Sequence, residues 1–140
     1  MSKIIHKPHL FFFSLIPIFL IIGWLEKEVL INLNDAYFII GADDFSYISC
    51  VFFGLIGVNY LALNWMHKKP KKWLTIAHLA FQIIAILLFF LFIYESKREL
   101  EPLEKSLNPN FVLFVGFLIF AFASFIHFIN FITSLLSKRE

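Results

Sequence analysis

"WLTIAHLAFQIIAILLFFLFIY", Trp73 to Tyr94, contains no Asp, Glu, Lys or Arg. A helix crosses the hydrocarbon core of a bilayer with about 20 consecutive apolar residues. This stretch has that length and is framed by aromatic residues at both ends. Its most polar side chains are Thr75, His78 and Gln82, with a small residue following at Ala85. At helical periodicity these four fall on one face. The stretch reads as a transmembrane helix with one polar stripe.

Working outward gives three more spans: Leu10 to Leu25, about Phe45 to Trp65 (with a possible start as early as Tyr37), and about Phe111 to Leu136. Continuous apolar segments of this length favour helices over barrel strands, which are shorter and alternate. Hydrophobic residues make up 60% of the 140, including 20 Phe, and the mean hydropathy is +0.81. Soluble domains lie nearer to half apolar. The longest clearly polar segment runs only from Glu95 to Asn110, too short for a soluble domain. The expected fold class is therefore all-α: a polytopic membrane protein with four transmembrane helices in a bundle, one membrane domain over residues 1–140. The first span follows Lys3 and Lys7, as a signal peptide would. No small-residue cleavage motif follows, only "IIGWLEKE", so it reads as an uncleaved helix. Pro17 lies mid-span, where membrane helices tolerate a kink. The single Cys50 excludes an internal disulfide.

Charge sets the expected orientation, because cytoplasmic flanks carry the excess of Lys and Arg. Lys3, Lys7, Lys68, Lys69, Lys71, Lys72, Lys138 and Arg139 flank the N-terminus, the second connection and the C-terminus. Only Lys27, Lys97, Arg98 and Lys105 fall in the other two connections. Nine of the ten acids lie there too, with Glu140 the exception. The arrangement predicts N-in and C-in, both termini cytoplasmic, in a bacterial inner membrane. Trp24, Trp65, Trp73 and Tyr94 mark span ends as an aromatic belt does. The basic run "HKKPKK" (residues 67–72) reads as a topological anchor against lipid rather than a nucleic-acid site. The segment from Ser96 onward is compatible with a short surface helix before Asn108-Pro109-Asn110 punctuates the chain.

Small and polar residues indicate which faces meet other helices. In the fourth span Gly116, Ala123, His127, Asn130 and Ser134 share an arc; in the second, Ser46, Ser49, Cys50 and Gly57 do. Asn59, His78 and Asn130 should lie roughly 7 to 10 Å from the cytoplasmic ends of their spans, and Gln82 and His127 about 13 Å. These side chains form one expected polar layer. Ionisable groups at such depth are functional suspects, while Asn, Gln and neutral His also serve as interhelical hydrogen-bonding residues. His78 and His127 are the histidines embedded in spans, and so the candidate axial pair for a haem b or the contacts of a quinone.

The stretch "NDAYFIIGADDF" (residues 34–45) resembles a signature of subunit I of the haem–copper respiratory oxidases, close to H-D-T-Y-F-V-I-A-H-F-H-Y at the outer end of that family's tenth helix. Asp35, Tyr37, Phe38 and Ile40 match it, and Ile39 and Gly41 are conservative. "VFFGLIGVNYLAL", "KKWLTIAH" and "FVGFLIFAFASFIHFINFITSLL" are similar to the continuation of that helix, the start of the eleventh and the twelfth. The resemblance implies helices that run outside-in, inside-out and outside-in, as the cations do for spans two to four. It also implies a lost site. The family's haem-ligating histidines correspond to Ala42 and Asp44, and the histidine near its non-redox magnesium to Asn34, while Asp35 keeps the adjacent aspartate. Alanine cannot ligate iron, and a carboxylate substitutes poorly for imidazole at a low-spin haem.

Asp35, Asp43 and Asp44 remain candidates for a divalent cation, since hard cations favour carboxylate oxygens. Adjacent residues on a helix diverge by about 100°, which works against Asp43 and Asp44 sharing one ion. No Ser-His-Asp, Cys-His, zinc or P-loop constellation occurs. The expectation is a non-enzymatic membrane protein, without a required cofactor, that acts as an accessory, assembly or scaffold component beside other membrane subunits. The alternatives are a haem b or quinone binder, and a small transporter or channel. The last lacks a repeat, a charged pore ring or broken helices.

Overall fold

The computed structural model describes residues 7–26, 28–33, 36–98 and 108–137. Four long helices account for most of them: α1 (Pro8–Leu25), α2 (Ala42–Trp65), α3 (Lys72–Arg98) and α4 (Pro109–Leu136). Each is long and apolar enough to cross a membrane. They pack chiefly as two pairs, α1 against α2 and α3 against α4.

Each helix begins where its sequence allows. Pro8 and Pro109 stand in the first turns of α1 and α4, where a missing N–H costs nothing. Asn108 caps α4, its side chain accepting from the Asn110 N–H at 3.0 Å. Helix α2 ends in a Schellman motif: the His67 N–H donates to the Asn64 carbonyl at 3.1 Å and the Lys68 N–H to Leu63 at 2.9 Å. The residue in the left-handed position is His67, with φ of 54°.

The first pair is joined through small side chains. Ser46 Oγ donates to the Phe19 carbonyl at 2.7 Å, and the Cys50 thiol lies 3.4 Å from the Ile16 carbonyl. A Cβ on Gly23 would stand 2.5 Å from Ser46 Oγ, so only glycine permits this approach. Three positions of the small-residue stripe, Ser46, Cys50 and Gly57, thus face α1, with Gly57 under the ring of Phe13. Cross-pair contacts are mainly aromatic: Phe12 stacks on His78 at 4.9 Å, Phe19 on Phe89 at 6.1 Å, and Phe52 meets Phe120 at 4.7 Å.

Between α1 and α2 the structure departs from the expected all-helical chain. Strands β1 (Glu28–Leu33) and β2 (Ala36–Gly41) form an antiparallel hairpin, pairing Glu28 with Gly41 and Leu33 with Ala36. Both are rich in the β-branched and aromatic residues that fit a pleated ladder. Tyr37 therefore belongs to a strand, and the second span begins at Ala42 rather than at Phe45 or Tyr37. The other spans keep their expected cores and gain a few residues at their ends. The third absorbs Glu95 and Ser96 and runs to Arg98, where the sequence allowed a separate surface helix; the remainder of that loop lies outside the described residues. Lys3, Lys27, Asn34, Asp35, Lys105, Lys138 and Arg139 also lie outside them.

The N-terminus of α1, the α2–α3 connection and the C-terminus of α4 share one end of the bundle. Lys68 Nζ donates to the Leu135 carbonyl at 3.1 Å and also to that of Ser137. A cation thus meets the exposed carbonyls at the negative end of the α4 dipole. We call this the lysine-rich end, and the opposite one the hairpin end.

Candidate functional site

The expected polar layer forms, and all three of its helices contribute to it. His78, Gln82 and Asn130 are fully buried, His127 nearly so, and Asn59 partly. Asn130 is the best satisfied. Its Oδ1 accepts from the Lys71 N–H at 3.0 Å and its Nδ2 donates to Thr75 Oγ1 at 3.0 Å. Thr75 in turn donates to the Lys71 carbonyl at 3.2 Å, and Ser134 to that of Asn130 at 2.6 Å. One side chain of α4 thereby fixes the first turn of α3 and the backbone just before it.

His78 Nδ1 lies 2.9 Å from the Tyr60 hydroxyl. Asn59 Nδ2 lies 3.4 Å from His127 Nε2. The two imidazoles are in contact, with centroids 4.9 Å apart and planes at 32°. Tyr60 packs against His127 at 4.9 Å, and Phe12 covers His78 from α1. Tyr60 is the member that the sequence reading missed. The signal was present: Tyr60 lies three residues after Gly57 on the stripe begun by Ser46 and Cys50.

An axial haem pair requires iron and a macrocycle between two imidazoles. Here the space beside the His78 ring is filled by Phe12, Tyr60 and His127, and the two histidines touch directly. The residues as packed do not fit a haem. Four polar atoms of this layer are buried without a hydrogen-bond partner: His78 Nε2, His127 Nδ1, and both the Nε2 and Oε1 of Gln82. Such groups carry a desolvation cost of about 1–3 kcal/mol each unless something satisfies them.

Gln82 is also the upper boundary of the layer. Beyond it toward the hairpin end lies an apolar cavity of about 320 Å³ between the two helix pairs. Phe19, Phe45, Phe53 and Phe89 line it from three helices, and Gly116 and Phe120 from the fourth. Ser49 joins the lining, but its hydroxyl is engaged with the Phe45 carbonyl at 2.8 Å. Ile48 and Phe117, which both line the cavity and are exposed, place its mouth on the flank between α2 and α4.

The acidic pair has a local explanation. Asp43 and Asp44 occupy the first turn of α2, where carboxylates complement the positive end of the helix dipole. Both are exposed. A Cβ on Gly41 would lie 2.6 Å from Asp43 Oδ1, so the glycine lets that carboxylate fold back over the helix N-terminus. Among the described residues, no group of three His, Cys, Asp or Glu side chains is placed to hold a metal ion. Ala42 is buried against Phe92 and Val112, while Asp44 faces outward.

Glu95 was expected at the edge of the polar loop. It is instead 5% exposed on the last turns of α3, with Oε2 unpaired. Comparisons with protein-family models, curated proteins and solved structures find no match.

Proposed function

We propose that this chain is a non-catalytic membrane protein, a short relative of the C-terminal helices of haem–copper oxidase subunit I, which serves as an accessory or scaffold component of a larger membrane complex. The observation that carries this reading is the packing of the polar layer. Its histidines are occupied by Tyr60, Phe12 and each other, and Asn130 is used to lock α3 to α4. The burial of Ala42 and the outward position of Asp44 support the reading of a chain without an iron site at these positions. Helices that pack mainly in pairs, with broad aromatic faces such as Phe114, Phe117 and Phe125 turned outward, suit a piece that adds to other membrane subunits.

Purification in a mild detergent, followed by native mass measurement and an absorption spectrum, tests the proposal. The expected result is a defined assembly heavier than one 16.5 kDa chain, containing a second membrane protein. A solitary chain carrying a stoichiometric haem spectrum overturns it. The N-in, C-in orientation belongs to the same proposal, supported by the lysines gathered at one end. In a Cys50→Ser background, Asn108→Cys should react with an impermeant thiol reagent in intact cells and Lys69→Cys should not. The reverse pattern would sink both the orientation and the oxidase-like alignment.

A further inference from the structure

In the hairpin half, the two helix pairs leave between them the chamber of about 320 Å³. Both pairs build its wall: Phe19 and Phe53 from the first, Ala85, Phe89 and Gly116 from the second. Phe19, Phe53 and Ala85 are buried. The wall offers a guest no polar group to bond. The Ser49 hydroxyl is engaged with the Phe45 carbonyl at 2.8 Å, and both polar atoms of the Gln82 amide are buried out of reach. Yet the chamber is open on one side. Ile48 and Phe117 line it and are well exposed, which puts its mouth on the flank between α2 and α4. At about 1.5 Å per residue from Ala42 and from Pro109, the mouth lies roughly 9 to 12 Å below the hairpin end. Half of a bilayer's hydrocarbon core is about 15 Å deep. The opening therefore stands among the acyl chains of the leaflet on that side, below its headgroups.

We infer that this chamber is a lipid site: the distal half of an acyl chain, from a phospholipid of the hairpin-side leaflet, enters between α2 and α4 and lies among the phenylalanines, bridging the two helix pairs. Other contents fit the wall less well. Water needs two to four polar partners, and the wall has none to give. A polar or charged head would be buried without a bond. An empty chamber forfeits the dispersion contacts of every ring that faces it. An acyl chain restores those contacts and gives up little, because the tails it leaves are as apolar as the wall it meets. The size agrees. The chamber has about twice the volume of an apolar cavity that holds benzene, which is room for roughly ten carbons. Because the helices pack chiefly within their pairs, a chain seated there becomes a further element of the contact between the pairs. The site does not depend on the accessory role and involves neither embedded histidine.

The test uses the full chain in phosphatidylcholine vesicles doped with a phosphatidylcholine that carries a diazirine in the distal half of one acyl chain. After irradiation, labels are expected on the buried wall residues Phe19, Phe53 and Ala85, as well as on outward residues such as Phe125. A lipid that only coats the surface cannot reach the first three. A second probe, with its diazirine next to the glycerol, should leave the wall unlabelled. Ala85→Leu and Ser49→Leu, which fill the chamber from the second and the first pair, should each remove the wall labels and keep those at Phe125. Labels confined to outward faces in the wild type overturn the proposal, whether the chamber is then empty or holds a ring lipid or a partner's side chain. So do wall labels that persist in either variant. Equal wall labelling by the two probes refutes the assignment to the distal chain. Should neither variant fold, the wild-type comparison of the two probes decides alone.

Discussion

The two halves of the bundle are held by different forces. At the lysine-rich half, Asn130, Thr75, Lys71, Tyr60 and His78 form bonds that reach across helices, with Phe12 closing the layer from α1. At the hairpin half the side-chain bonds between helices stay within the first pair, as from Ser46 to the Phe19 carbonyl, and the two pairs meet mainly through rings: Phe45 on Phe89 at 4.6 Å, Phe19 on Phe89, Phe52 on Phe120. Directional bonds fix spacing and register. Rings slide and tilt, and the hairpin half accordingly leaves a chamber. In a bilayer, where lipid tails are as apolar as the helix surfaces, burial of phenylalanine supplies little drive to fill it.

The largest test of that contrast is Phe12→Ala against Phe89→Ala. Phe12 is 0% exposed and touches Tyr60, His78 and Phe53. Its removal should cost about 3 kcal/mol, in the range of large-to-small core changes. Phe89 already borders open space, so its loss should cost about half as much, by the same dependence on how well a site collapses. Equal losses, measured by reversible unfolding in mixed micelles, would mean that the halves are equally well packed.

Next comes Asn130→Leu. It strips partners from the Lys71 N–H and from Thr75 at once, in a fully buried position. About 2 kcal/mol should be lost, within the range for orphaned buried polar groups. Asn130→Asp should recover part of that, because a carboxylate oxygen still accepts from Lys71. A variant as stable as wild type would reduce the layer to coincidental proximity.

What the sequence disclosed follows the same division. His78, Gln82, His127 and Asn130 stood out because a polar side chain in an apolar helix is conspicuous, and its periodicity names the face. The cavity did not stand out, because Phe89 facing a chamber and Phe90 facing lipid are the same residue type. The hairpin was lost for a related reason. "AYFIIG" is as apolar as a span, and its strand character depends on pairing with "EVLINL", which hydropathy does not register. Reading 36–41 as helix would have placed Asp43 and Asp44 one to two turns inside a span. The strand moves the helix start to Ala42 and leaves them on its first turn. The burial of Glu95 was equally hidden, since a charge next to a polar loop normally marks the end of a span.

A smaller effect tests the corner below the layer. His67 holds a left-handed backbone at the C-terminus of α2, a conformation that costs a non-glycine residue roughly 1 kcal/mol or more. His67→Gly should therefore raise stability by about 1 kcal/mol. It should leave the Lys68 contacts to Leu135 and Ser137 in place, readable as unchanged protection of the C-terminal amides of α4. Loss of that protection would mean that the His67 side chain, rather than its backbone, holds the connection.

The smallest expected effect separates two amides of equal burial. Asn130 and Gln82 are both 0% exposed, one turn from histidines of the same layer. Asn130 has a partner for each of its polar atoms, and Gln82 has none. A buried amide without partners lowers stability, and an apolar side chain of similar shape removes that cost. Gln82→Leu should therefore leave unfolding unchanged or shift it toward stability by at most about 1 kcal/mol. Asn130→Leu, by the same chemistry, moves the other way. If Gln82→Leu instead destabilises the bundle as much as Asn130→Leu does, then Gln82 is bonded within the folded chain. The division between a bonded half and a ring-packed half would then have to be drawn one turn nearer the hairpin end.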